Sequence, residues 1–515
     1  MKPILTIALL VALFACNPLA EAQIPDDLIN GMSGTEVSRR IFDGEHQAME
    51  QLRMYSPVAE TYIQSLWPDT SAQIPLDDSY FLNKISFLRF LSRQDKAWMP
   101  LFGEPGSRDI LTDNGSKTTL YAAGFIYVMF VDPWDFDSDT YRLSYIADAK
   151  LGTIDCLTFA VTPVKHPAPR RFEGTIWVEK QNLKIVRVQG IFQGKHPKFV
   201  QRLSPLGGFA TFYLHFDCWR KQIAEGLWVP SSIIMDDNIP WKAIGRDGDT
   251  DQHIRARILV WDYSHIGSFQ RALMTASQNN PTTDVELDGL EADGLLAPAG
   301  SVEQLLNETI ETMSHSELAG LHLPTVTCRV LLTTPLDMFH IQNTILISRG
   351  LLEMASSSVL DGLLAHELVH VAMDQTVDKP FDYSQSLFMT HSAGFTGLGI
   401  VQDQEDESKA AGITSGLTDN SSVLRSLREA AGFVAQLRGM SRQIPNIAKP
   451  QFGAGLTEHD LGSNPITTSG QNLALHYRYE VDTWTGQLHA VKWVGPPDEM
   501  SSNSVGASFS GSGRN

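Results

Sequence analysis

The run Ser358-Val-Leu-Asp-Gly-Leu-Leu-Ala-His-Glu-Leu-Val-His-Val-Ala-Met-Asp-Gln375 carries His366, Glu367 and His370 in the order H-E-x-x-H, inside an apolar helical pattern. Residues four apart stand on one face of a helix, so His366 and His370 can offer two imidazoles to one tetrahedral Zn2+. Glu367 beside them reaches a water on that metal and can take its proton, the arrangement used by zinc peptidases. Leu360, Leu363, Leu364, Leu368, Val369 and Val371 surround these polar residues, so the helix is expected to be buried. Ser358, with Asp361 three residues on, reads as the capping box that starts it. Packing alone is a poor reason for two histidines and a glutamate here, because each needs a partner once buried.

Around this run, Val302 to Met313 has helical periodicity, Val326 to Thr333 is strand-like, and Thr344 to Ser348 is a short strand leading into Arg349-Gly350. Downstream come a polar loop with His391, an acidic run from Asp403 to Glu407, and a further helix marked by Val423, Leu427, Ala430, Val434 and Leu437. Residues 301–455 therefore read as a mostly helical zinc-peptidase domain with a small sheet. A hairpin extension occupies 456–497, with Leu473, Leu475, Tyr477, Tyr479 and Val481 alternating with polar residues before Leu488 to Val494 returns. The Ser/Gly-rich tail, 498–515, is expected to be disordered.

Upstream the texture is different. Residues 119–270 hold short β-rich runs separated by Pro, Gly and Asp-Asn clusters: Leu120 to Val131, Tyr141 to Ile146, Cys156 to Val161, Thr175 to Val178, Lys184 to Gln189, Phe209 to Phe216, Trp228 to Met235 and Ile254 to Tyr263. The pattern predicts an antiparallel sheet, open or curved into a half-open barrel, and an α+β chain overall. In the clearest hairpin, Arg171 to Ile191, residues Phe172, Gly174, Ile176 and Val178 alternate with Glu173, Thr175, Trp177 and Glu179, so one face is buried. Residues 23–118 read as a helical segment, with a helix from Ser33 and Thr35 toward Met54 and an apolar-periodic run from Phe81 to Leu91. Residues 271–300, rich in Pro, Asn, Asp and Gly between Ser277 and Gly300, read as a linker.

Residues 1–22 have the form of a signal peptide: Lys2, an apolar run from Ile4 to Ala15, and Ala20-Glu21-Ala22 as a cleavage site. Lipidation at Cys16 is the competing reading, and both predict a periplasmic or secreted protein. No later apolar run reaches the ~20 residues of a membrane span. The formal net charge of −19 argues against nucleic acid as a partner. Cys156, Cys218 and Cys328 are spaced too widely for a zinc knuckle, and Cys156 with Cys218 is either a disulfide or two buried thiols.

Two resemblances refine this reading. Arg171 to Val178 with Ile185-Val186-Arg187-Val188 resembles the lipoprotein-carrier proteins of the bacterial periplasm, which implies a curved sheet able to shelter a lipid, a lipoprotein or a hydrophobic peptide. For the zinc helix, a metzincin would place Gly and His where Met373 and Thr376 stand, so that class is excluded. In gluzincins the third ligand is a glutamate on a later helix, and the acidic run offers Glu405 and Glu407. Helical phase favours Glu407, which shares a face with Ala410, Ala411, Thr414 and Leu417; Glu405 and His391 are the alternatives. Thr344 to Leu352, Leu364 to His370 and Glu407 to Ala411 together resemble the gluzincin family of the CAAX prenyl proteases and heat-shock membrane proteases, in soluble periplasmic form. That resemblance implies a metalloendopeptidase acting on protein or peptide substrate in envelope quality control, with His366, His370 and Glu407 as zinc ligands and Glu367 as catalytic base. It also implies that Thr344 to Ser348 is the edge strand on which substrate lies. Ala411 stands where the family has an aspartate that supports a zinc ligand, a departure expected to weaken metal affinity and turnover. The alternative is a lipid or lipoprotein carrier or chaperone whose peptidase-like part is an inactive scaffold.

Overall fold

The computed structural model describes residues 24, 31–66, 75–85, 87, 129–133, 135–164, 170–195, 211–239, 252–263, 285–292, 294–316, 318–373, 410, 413, 421–440, 447–448, 477–481 and 488–492. Its first unit is built on nine strands: β1 (Val58–Leu66), β2 (Pro75–Lys84), β3 (Tyr141–Leu151), β4 (Ile154–Pro163), β5 (Arg170–Glu179), β6 (Ile185–Lys195), β7 (Thr211–Ala224), β8 (Leu227–Ile239) and β9 (Gln252–Trp261). They form one sheet in the order β2-β1-β9-β8-β7-β6-β5-β4-β3. Every pair is antiparallel, and β3 to β9 run as a meander. The two end strands, β2 and β3, are not paired with each other, so the sheet is open. Bulges at Tyr145/Ala147, Trp177/Val178 and Trp219/Arg220 bend it, as one extra residue on one strand increases local twist.

The β5–β6 hairpin follows the predicted alternation, with Phe172, Ile176 and Val178 buried and Lys180 to Leu183 turning the chain. Gly174 sits opposite Gly190, and the Phe172 ring lies over both. A Cβ on either glycine would come within 2.7 Å of that ring, so the pair makes room for the aromatic cover.

Helix α1 (Gly34–Leu52) covers the inner face. It starts as expected, the Ser33 side chain accepting a hydrogen bond from the Glu36 N–H, and its apolar stripe of Val37, Ile41, Met49 and Leu52 joins Leu157, Ile176, Val188, Ile233 and Ile258 in one core. Within that core Arg220 Nη1 and Nη2 donate to Glu45 at 2.5 and 2.6 Å, and Nη2 also donates to the Met129 carbonyl. A buried pair of this kind tolerates loss of neither partner, since the survivor would be an uncompensated charge.

Two expectations for this half are corrected. Among the described residues, 23–118 is not helical alone: β1 and β2 lie there beside α1, and the Phe81 to Leu91 run opens as the end of β2. The linker expected at 271–300 contains helix α2 (Val285–Ala292), with Leu290 buried in it and Leu295, Leu296 and Ala297 buried after it. Leu120 to Val131, expected as a strand, lies largely outside the described residues, and Met129 to Val131 are not strand. Cys156 and Cys218 are free thiols on opposite faces of the sheet, and Cys328 is free in the second unit. Burial pushes the Cys156 thiol up to about 11, the Cys218 thiol up to about 12 and the Cys328 thiol higher still.

The second unit contains α3 (Ser301–Ser316), β10 (Thr327–Leu331), β11 (Met338–Ile341), β12 (Thr344–Ser348), α4 (Arg349–Met354), α5 (Ser357–Ala372) and α6 (Ser421–Met440). The strands form a sheet in the order β10-β12-β11, β12 parallel to β10 and antiparallel to β11. Alternation along the first unit's end strands ties the two units together. Ala59, Ile258 and Val260 face α1, while Val58, Tyr80, Leu82 and Trp261 belong to the core that also holds Leu351, Leu363 and Leu368. Beyond α6, Tyr477–Val481 pairs with Leu488–Lys492 as the expected C-terminal hairpin, β13 and β14.

Candidate metal centre on a buried helix

Ser348 ends β12 and caps α4, its hydroxyl accepting from the Leu351 and Asp337 N–H groups. After α4, Ser356, not Ser358, caps α5, accepting from the Val359 N–H. The capping box expected at Ser358 is displaced because the helix begins at Ser357, and the Ser358 hydroxyl instead meets Ser426 Oγ at 3.3 Å. Helix α5 is buried along most of its length, His366, Glu367 and His370 included. Gly362 admits α6: a Cβ there would lie 2.2 Å from the Ser426 carbonyl oxygen and 2.9 Å from Ala430 Cβ. Val423, Leu427, Ala430, Val434 and Leu437 form the buried face of α6, as their spacing predicted.

The two histidines do converge. His366 and His370 stand one helical turn apart with Nε2 atoms 3.3 Å from each other and rings nearly perpendicular, at 83°. Two nitrogens bound at 2.0–2.1 Å to a tetrahedral zinc lie about 3.3–3.4 Å apart. The donor geometry of the pair therefore fits zinc before any metal is considered. Their relative exposures are 1% and 2%, so solvent does not account for two imidazoles directed at one point.

Glu367 faces a partner that the sequence did not announce. Its Oε1 is 2.7 Å from Nδ1 of His340, on β11, with both side chains buried. A carboxylate only accepts, so in this pair Nδ1 carries the proton and donates. The register of β11 on β12, His340 opposite Ile345, sets the imidazole's place on the carboxylate.

The residues expected to supply a third ligand, Glu407, Glu405 and His391, lie outside the described residues, as does Ala411. Three residues past Glu407, Ala410 is helical and fully buried, while Ile413 is helical and exposed. Among the described residues no group of three metal-binding side chains forms.

One expectation about substrate is corrected. Strand β12 is the central strand of its sheet, with both backbone edges used by β10 and β11, and cannot be the edge on which a peptide adds. The strand at the sheet margin beside Glu367 is β11.

A second buried polar cluster joins this unit to the large sheet. Glu60 of β1 accepts from the Thr334 N–H and hydroxyl, from Arg349 Nη2 at 2.9 Å and from the Tyr80 hydroxyl at 2.7 Å. Burial, then the Glu60 charge, pushes the Tyr80 hydroxyl pKa well above its usual value, so it remains a donor. Arg257 of β9 also donates to the Thr334 hydroxyl. Arg349 begins α4, so the sheet's first strand anchors the segment from which the histidine helix is launched.

No family model matches the chain, and no curated protein does. The gluzincin resemblance therefore rests on this chain's own residues. Among solved structures, similarity is found to a LolA-superfamily protein from Nitrosomonas europaea, at 12% identity and a TM-score of 0.20, covering 44% of this chain and 91% of the other. A DUF1329-family protein from Desulfovibrio piger matches at 11% identity and 0.20, with 44% and 93% covered. A putative outer-membrane lipoprotein-sorting protein domain from Vibrio parahaemolyticus matches at 10% and 0.19, with 48% and 99% covered. TM-scores this low carry no argument about function.

Proposed function

We propose that this chain is an exported zinc-dependent metallopeptidase. The observation that carries the proposal is the pair of Nε2 atoms of His366 and His370, 3.3 Å apart on a buried helix that also presents Glu367. His366 and His370 would hold the metal, with Glu407 as third ligand. Bound zinc would supply a Lewis acid that polarises the scissile carbonyl and acidifies water. Glu367 takes a proton from the attacking water and returns it to the leaving nitrogen. Substrate in an extended form would add at β11, next to Glu367. Export rests on the Ile4 to Ala15 run, which lies outside the described residues; no described helix is long and apolar enough to cross a membrane.

The test is cleavage of an unfolded protein substrate by wild type and by Glu367→Gln, with and without chelator. Wild type should cleave only with zinc, and the variant should lose at least about 100-fold in rate while keeping the metal. Equal rates in both would refute the mechanism.

A second reading is favoured by the open nine-stranded sheet, whose ends do not close. It makes the first unit a carrier of a lipid, a lipoprotein or an apolar peptide, with the second unit an inactive scaffold. Helix α1 fills the described inner face, so an apolar guest would have to displace it. Organic extraction and mass spectrometry of the purified chain decide this: stoichiometric lipid without cleavage favours the carrier.

A further inference from the structure

We infer that His340 is the positioning residue for Glu367, fixing the carboxylate that the proposed peptidase chemistry uses as its base; the inference rests on that reading. At 2.7 Å the contact is in the range of a charge-assisted hydrogen bond, and it is buried, where such bonds hold their geometry best. One oxygen, Oε1, is held from the sheet side. On this proposal the other oxygen, Oε2, is the one that works on water. A carboxylate on a flexible side chain would otherwise sample several rotamers, and productive proton transfer requires it within about 0.5 Å of one.

The scaffold around the contact suits this role. Met338 and Phe339 beside His340 are buried, β11 is registered on β12, and β12 passes through the Ser348 cap toward α5. An apolar side chain would fill this place as well as an imidazole does if packing were its only purpose. A buried histidine needs a partner, and the one His340 has among the described residues is the residue assigned the chemistry.

The full-length protein tests the inference through three variants. His340→Phe keeps the ring and removes the donor; His340→Asn puts an amide N–H close to the position of Nδ1; His340→Leu replaces Phe as the donor-free variant should Phe not fold. Zinc per chain should remain at the wild-type value in all of them. The donor-free variant should lose about 10–100-fold in kcat with KM within about threefold, and Asn should recover a large part of that loss. A donor-free variant with wild-type kcat, or an Asn variant no better than it, would overturn the positioning role. In the metal-free protein, the losses of Tm in His340→Phe and Glu367→Gln should be non-additive in the double variant, and strict additivity would rule out the direct contact. Wild type without zinc or cleavage would remove the peptidase reading itself, an outcome distinct from failure at His340.

Discussion

His366, Glu367 and His370 were legible because a metal site written in one helix has a fixed spacing. His340 was not, since a lone histidine between Phe339 and Ile341 carries no spacing signal and is brought to Glu367 only by strand pairing across Gln342–Asn343. The same limit hid the Glu60 cluster, whose members come from five separate segments of the chain. Glu303 offers a test of how buried charge behaves here. It accepts from the Val330 N–H at 3.0 Å and from Arg329 Nε at 3.2 Å, yet burial outweighs both and raises its carboxyl pKa. A raised carboxyl pKa contributes stability that is complete below the unfolded value, about 4.3, and is lost as pH rises through the folded value. Glu303→Gln keeps the acceptor and removes the charge. Its Tm should fall less than that of wild type between pH 4 and 7, and parallel curves would contradict the assignment.

At the scale of the element, the β5–β6 hairpin was recoverable because β5 buries Phe172, Ile176 and Val178 on one face and alternates, whereas β4 buries Cys156 to Phe159 without a break. Strand β1 was missed for a physical reason: Glu60 and Thr61 are buried among apolar neighbours, so both faces are covered and the period of two is lost. Strand β2 carries Asp77 and Asp78 and gives no apolar alternation at its start. The α5–α6 contact rests on one small residue. Gly362→Val would drive its side chain into Ser426 and Ala430, separate the helices and cost about 1–3 kcal/mol or more. Because His366 lies one turn further along α5, the variant should also lose zinc affinity, measurable by competition with a chromogenic chelator. Unchanged stability and affinity would mean that α6 does not support the site.

For the whole molecule, the two units were expected to be joined by a linker and are instead joined by a core. Tyr80, Leu82 and Trp261 of the sheet belong to the same core as the buried residues of α5, and the Trp261 indole donates to the Gly294 carbonyl at 2.9 Å. Calorimetry should therefore give one unfolding transition for both units rather than two. Glu60→Ala, which takes the buried carboxylate from Arg349 and leaves it only the partly exposed Glu353 at 3.4 Å, should lower that single transition by about 3 kcal/mol in stability. Two well-separated transitions in wild type would contradict a shared core. The central claim, that the α5 histidines form a zinc site, is tested most directly by elemental analysis of purified wild type and His370→Ala. The account predicts about one zinc per chain in wild type and a large loss in the variant. No zinc in wild type after supplementation, or zinc retained without His370, would contradict it.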